Sequence, residues 1–288
     1  IMDVQKDFYF MTDCLDQLWL ECLKVAMIKK DTGKNFHARD FSDYENEISV
    51  PTEKQERSKH HFPMGIKTGL AMHGLLEKID FEAPSHKEEC RKLLNNLGLE
   101  ESWFSVLEKW IDQILSVDLG PLKLKDLKKH DRVAELEFFF SVSKSEKMIQ
   151  FLFEQGFISS RGKKDLNIEG FMTGIIDLAF RQGGKYYLLD YKSNFLGADE
   201  SSYDSESLSL AMKRHDYHLQ YLIYTVALHR MLKRDLESYS YEEHFGGVYY
   251  FFLRGVDCEK TNGLFFTRPD EVLIEKIDGY MSVNDEES

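Results

Sequence analysis

The sequence predicts an α/β (α+β) fold: a mixed central sheet flanked by helices, behind a helical N-terminal region. Three observations carry this. The apolar period changes from helical to alternating at Arg132–Val142 (RVAELEFFFSV), a stretch rich in aromatics. Two more strand-like runs, 170–180 (GFMTGIIDLAF) and 185–192 (KYYLLDYK), are separated only by Arg181-Gln182-Gly183-Gly184. A long helical stretch at 205–234 then precedes an apolar run of strand length at 247–253 (GVYYFFL).

Taken in order, residues 6–30 read as a helix, with Phe8, Leu15, Leu18, Leu20, Leu23 and Val25 at apolar positions. From 31 to 61 the chain is polar, contains Pro51 and has little periodicity, as a linker or extended crossing segment would. This divides the chain into a lead-in, 1–59, and a domain, 60–288. Helices are expected at 66–79, 86–97 and 101–117, followed by a short basic stretch at 123–129. A helix at 145–155 follows the first strand, and a closing helix at 268–282 precedes an acidic tail.

The 288 residues carry 37 Lys+Arg against 50 Asp+Glu, a net charge of −13. That balance excludes a generic nucleic-acid-coating protein, whose affinity comes from Lys and Arg neutralising phosphates. It leaves open an enzyme that holds DNA through a local patch or partner subunits. Lys123, Lys125, Lys128, Lys129 and Arg132 form one basic stretch, read as a solvated face in preference to a DNA-facing patch, which stays open. Four scattered cysteines (Cys14, Cys22, Cys90, Cys258) lack C-x-x-C spacing, so reduced thiols are expected and no metal–thiolate cluster. No apolar run approaches the roughly 20 residues of a membrane span. No signal peptide is visible, and the start at Ile1-Met2 reads as a fragment of something longer. No G-x-x-x-x-G-K-[ST] occurs, so no P-loop ATPase is expected in this chain.

The hairpin carries the chemistry. A two-residue turn at Gly183-Gly184 pairs Gln182 with Lys185 and, five residues further along each strand, Asp177 with Asp190. Directly opposed residues have Cβ atoms about 4.5–5.5 Å apart. Two carboxylates facing each other among Ile175, Ile176, Leu178, Leu188 and Leu189 repel unless a divalent cation lies between them. Lys192 shares the face of Asp190, where an ammonium can act on a metal-bound water or a phosphate. The plainer alternative is an exposed Asp190–Lys192 pair worth at most about 1 kcal/mol.

The segment GFMTGIIDLAFRQGGKYYLLDYKSNFLG resembles the nuclease motif of the C-terminal domain of RecB-type helicase–nucleases, in the PD-(D/E)XK nuclease superfamily. FPMGIKTGLAMHGLLEKIDF resembles that family's histidine helix, AELEFFF its acidic strand and LQYLIYTVALHRML its Q-x-x-x-Y helix. HFGGVYYFFLRGVD resembles the core strand that follows. The resemblance is dense over 60–280 and thin before it, with ARDFSDYEN (38–46) as a loose lead-in. The Pro of the superfamily name is Ile176 here, and the four-cysteine arrangement of some relatives is absent.

The resemblance implies a restriction-endonuclease-like core and a metal-dependent DNase. Asp177, Asp190, His73 and the main-chain carbonyl of Tyr191 would ligate Mg²⁺, one ion per site or two, with Mn²⁺ or Ca²⁺ able to enter in vitro. Lys192 would position or activate the attacking water, Glu135 would act near the metal, and Gln220 and Tyr224 would shape the site and meet the DNA backbone. Taken singly, His73 can be an ordinary helix histidine, Glu135 can face solvent with Glu137, and Gln220 and Tyr224 can be a packing pair. The implied partners are linear or unwound DNA and RecC- and RecD-type subunits, in a bacterial cytoplasm and with no membrane role. The alternatives are a PD-(D/E)XK nuclease of another repair or defence system, and a binding module that kept the fold without turnover.

Overall fold

The turn at Gly183-Gly184 sets the geometry of the whole domain. Both glycines have positive φ, 58° and 82°, as a two-residue turn matched to strand twist requires. A computed structural model of the chain describes residues 26–28, 57–120, 122–142, 145–157, 170–258 and 261–282. Among the described residues, six strands form one mixed sheet: β1 (Ala26–Ile28), β2 (Arg132–Val142), β3 (Gly170–Gln182), β4 (Lys185–Lys192), β5 (Phe245–Phe252) and β6 (Leu264–Thr267). β3 pairs antiparallel with β2 along one side and with β1 and then β4 along the other. β4 and β5 run parallel, and β6 closes the far edge antiparallel to β5.

Parallel pairing of β4 and β5 needs a long crossover. It is made by α5 (Ser205–Arg214), α6 (Tyr217–Asp235) and the short α7 (Tyr241–His244). With α4 (Ser145–Glu154) and α8 (Glu271–Met281), α5 and α6 cover one face of the sheet, packing on Ile176, Leu188, Val248, Tyr250 and Phe252. The other face is covered by α1 (Ile66–Lys78), α2 (Lys87–Leu97) and α3 (Phe104–Leu115), over Leu178, Phe180, Leu189, Tyr191, Tyr249 and Phe251. Each central strand is therefore apolar on both faces, which is why 185–192 and 245–252 read as nearly continuous apolar runs.

Several expectations need correction. Within the helix expected at 6–30, Ala26–Ile28 is a strand paired with Phe171–Thr173, and the rest of that stretch lies outside the described residues. Alternation in AMI offered too short a signal against a strong helical period. The segment ARDFSDYEN also lies outside them. The end of the expected linker is structured: Lys59–His61 forms a 3-10 turn, with Lys59 and His60 buried. The single helix expected at 205–234 is two, broken at Asp216, whose φ is 50°. β6 carried no strand signal that was read, being only four residues long.

Candidate active site

Alternation along β4 sends Tyr187, Leu189 and Tyr191 under α1–α3, and Leu188 to the opposite face. Asp190 and Lys192 share the parity of Leu188, and both are buried, at 3% and 5% exposure. Lys192 Nζ lies 2.6 Å from Asp190 Oδ2 and donates to Gln220 Oε1 on α6 at 2.9 Å. Gln220 Nε2 in turn donates to Tyr224 Oη at 3.0 Å. The i, i+4 spacing of Gln220 and Tyr224 puts both on the helix stripe facing the sheet. At 2% exposure each, they shape the site from within and present no polar atom to the surface that DNA would approach.

The hairpin ladder runs from Gln182↔Lys185 to Leu178↔Leu189, the register expected from the turn. Asp177 and Asp190 are the next residues, one step past the last recorded pair. Here the strands open, and Asp177 Oδ2 accepts the backbone N–H of Tyr191 at 2.8 Å. The same oxygen lies 3.3 Å from His73 Nδ1 on α1. The histidine ring meets Tyr191 edge-on, centroids 6.0 Å apart. α1 reaches this position because Gly69 lets Ser193, just past β4, approach its backbone: a Cβ there would lie 2.7 Å from Ser193 Oγ.

β2 contributes a conformational irregularity at the same level. Its ladder with β3 is recorded at Ala134↔Leu178 and Leu136↔Ile176 but not between them, where Glu135 and Asp177 stand side by side. Glu135 has φ 50°, the left-handed region that a branched or long side chain seldom adopts. Leu178 joins one core and Ile176 the other, although strict alternation would put both on one face. The sheet therefore changes face at Asp177, and this frees its side chain to point along the opening between β3 and β4. Glu135 is half-buried there, while Glu137 is exposed.

Burial acts on each charge, and the partners decide the outcome. Desolvation would raise the Asp177 carboxyl, but the hydrogen bond and charge of His73, the charge of Lys192 and the Tyr191 N–H hold it below the usual range. Burial pulls His73 down, and Asp177 and Asp190 more than reverse this, holding the imidazole above its ordinary value. Asp190 is pushed up to about 6 by burial, against the opposing charge of Lys192 and with the added repulsion of Asp177. Asp190 Oδ2 is buried, and the Lys192 ammonium 2.6 Å away is its partner.

Among the described residues, no three His, Cys, Asp or Glu side chains converge into a ready-made cation cage. Asp177 is occupied by His73 and Tyr191, and Asp190 by Lys192. The donor chemistry still fits a hard divalent cation: two buried carboxylates beside an imidazole. Neither of the described cysteines is among the residues gathered here. Cys90 is buried and its thiol is pushed up to about 12 by burial, and Cys258 is exposed and free.

The structure thus brings His73, Asp177, Glu135, Asp190, Tyr191, Lys192, Gln220 and Tyr224 to one level of the sheet. Sequence reasoning missed Tyr217, Asn194 and Tyr250. Tyr217 is one helical turn before Gln220, a spacing that was available. Tyr250 lies across the parallel pair from Asp190, which no local pattern reveals. The basic stretch 123–129 is apart from the site: its lysines are exposed, Lys128 pairs with Glu82 at 2.7 Å, and Leu124 and Leu127 anchor it.

Residues 44–278 match the PD-(D/E)XK nuclease superfamily. The chain is similar to RecBCD enzyme subunit RecB of Escherichia coli (strain K12), 40% identical over 239 residues, covering 80% of this chain and 20% of that protein. It is 37% identical over 252 residues to the RecB subunit of Haemophilus influenzae, covering 84% and 21%. To that of Mycobacterium tuberculosis (strain ATCC 25618 / H37Rv) it is 29% identical over 256 residues, covering 74% and 23%. The chain spans about a fifth of the length of these relatives. Superfamily members depend in general on a divalent metal. With its mixed sheet, its match over most of the chain and its similarity to RecB subunits, the chain belongs to the PD-(D/E)XK nuclease superfamily, as a RecB-type nuclease domain.

Proposed function

We propose that this domain is a Mg²⁺-dependent exodeoxyribonuclease that hydrolyses phosphodiester bonds of unwound linear DNA. The observation that supports the reading best is the buried Asp190–Lys192 pair at the end of β4, beside the His73–Asp177 pair. A structural role alone gives no reason to bury three charges and an imidazole where two strands part, since unpaired burial of each is costly. Asp177, Asp190, His73 and the Tyr191 carbonyl are the residues that would hold Mg²⁺, as one ion or two, with Mn²⁺ or Ca²⁺ as substitutes in vitro. When bound, the metal supplies Lewis acidity and a lowered water pKa.

The protein's own groups do the rest. Lys192 sets an ammonium within reach of the attacking water and the scissile phosphate, where fixed positive charge opposes the charge that develops in the transition state. Gln220 holds that ammonium from behind, and Tyr224 holds Gln220. Glu135, fixed next to Asp177 by its unusual backbone, supplies a third carboxylate at the rim. His73 anchors Asp177.

The relatives are named as RecBCD subunits, and on that likeness we place this domain with RecC- and RecD-type partners in a bacterial cytoplasm. There it would cut DNA strands as a motor in the same assembly unwinds them, in double-strand break repair and recombination. The test is end-labelled linear single-stranded DNA incubated with the purified chain in Mg²⁺ and in EDTA. Cleavage confined to Mg²⁺ is expected, and cleavage undiminished by EDTA contradicts the reading. If neither lane shows cleavage, calorimetric titration with Mg²⁺ decides: saturable binding keeps the site, and no binding removes it.

A further inference from the structure

We infer that Tyr217 and Tyr250 are positioning residues for the reaction, forming an aromatic cage that fixes the Lys192 ammonium beside Asp190. The inference rests on the proposed role of Lys192. The ammonium lies 4.3 Å from the centroid of the Tyr217 ring and 5.2 Å from that of Tyr250, within the range where a ring face attracts a cation. Both rings are fully buried, Tyr217 at 1% exposure and Tyr250 at 0%, so neither meets DNA directly.

The cage is itself held in place. The two rings stack with centroids 5.7 Å apart and planes inclined by 29°. Tyr217 Oη donates to Asn194 Oδ1 at 2.9 Å, tying its ring to the loop that leaves β4 two residues after Lys192. Tyr250 Oη donates to Gln220 Oε1 at 3.0 Å, the same oxygen that accepts from Lys192. Tyr250 also lies across the parallel ladder from Asp190, so β5 sets its distance from the acid. Asp190 and Gln220 direct the ammonium along the plane of the site, and the rings wall it from the side.

This also accounts for the break in the helical stretch 205–234. Asp216 is buried and takes φ 50°, a conformation that ends α5 and restarts the chain as α6 with Tyr217 as its first residue. An uninterrupted helix would carry residue 217 along the axis of α5. The left-handed residue turns it toward the sheet.

A lysine side chain has four rotatable bonds, and a displacement of about 1 Å in a reacting group costs up to about 100-fold in rate. Tyr217→Leu is therefore expected to lower kcat on single-stranded DNA in Mg²⁺ by about 10- to 100-fold with KM unchanged. Tyr217→Phe, which keeps the ring, should restore kcat to within about threefold of the parent chain. A second reading needs neither turnover nor metal: in the parent chain, ¹³C-labelled lysine should show an ε-methylene resonance of Lys192 moved upfield by ring currents, distinct from that of Lys276, which lies 4.1 Å from the Phe151 ring. Lys192→Ala should remove that resonance, and Tyr217→Leu should return it to the ordinary position. A parent chain in which no upfield lysine resonance is lost on Lys192→Ala, or a Tyr217→Leu variant with parental kcat, overturns the cage. If Lys192→Ala keeps full activity while the upfield resonance is present, the role of the lysine fails and the cage stands as structure only.

Discussion

Asp177 and Asp190 lie in one pocket, and their surroundings drive them in opposite directions. Asp177 accepts from His73 and from a backbone N–H and is held below the usual carboxylate range, whereas Asp190, buried and repelled by Asp177, is pushed up to about 6. The two acids are therefore unequal: one is stabilised as a carboxylate by the protein, and the other gains most from an added cation. Glu135 has a different signature, a left-handed backbone inside a strand. Such a conformation costs about 1–3 kcal/mol in a residue other than glycine, while glycine in a strand forfeits about 0.5–1 kcal/mol. Glu135→Gly is thus expected to keep or raise stability, by up to about 2 kcal/mol in urea unfolding, while lowering nuclease activity. A variant that loses stability and keeps its activity would show that the side chain serves the fold.

At the scale of elements, the hairpin was legible because Gly183-Gly184 admits one tight turn and the apolar runs on either side admit one register. The pairing of Gln182 with Lys185 follows from those residues alone. The unpairing one step beyond Leu178↔Leu189 was not legible, because it depends on Glu135, in a strand far earlier in the chain. The break at Asp216 was hidden for a related reason: aspartate is tolerated inside a helix, and only the sheet beneath decides where the helix must turn. The role of Arg254 was equally invisible. Its guanidinium, 2% exposed, donates to the carbonyls of Lys59 and Phe62 at 2.9 and 2.8 Å and of Pro63 at 3.0 Å. This clamps the chain entering α1 onto the end of β5, and α1 carries His73. Arg254→Met should cost about 3 kcal/mol or more, because three carbonyls lose a charged donor. A loss below about 1 kcal/mol in the same urea titration would refute the clamp.

Across the whole molecule, one sheet separates two apolar cores, and the site forms where helices from both sides reach the ends of β3 and β4. The cores share the central strands and should unfold together. Leu107→Ala under one face and Leu222→Ala under the other, both at 0% exposure, should each cost about 2–5 kcal/mol. Combined, they should add to within about 0.5 kcal/mol and leave a single transition; two separated transitions would show independent halves. With a net charge of −13 the surface as a whole repels phosphate, so the proposed DNA contact rests on local chemistry at the site. No described helix is long and apolar enough to cross a membrane. In the proposed function the buried charges at the end of β4 perform hydrolysis. The most direct measurement is the initial rate of cleavage of end-labelled linear single-stranded DNA in Mg²⁺ by the parent chain, Asp190→Ala and Lys192→Ala, each checked for native circular dichroism. The account predicts a loss of about 10²–10³-fold or more in both folded variants, and a parental rate in either one would contradict it.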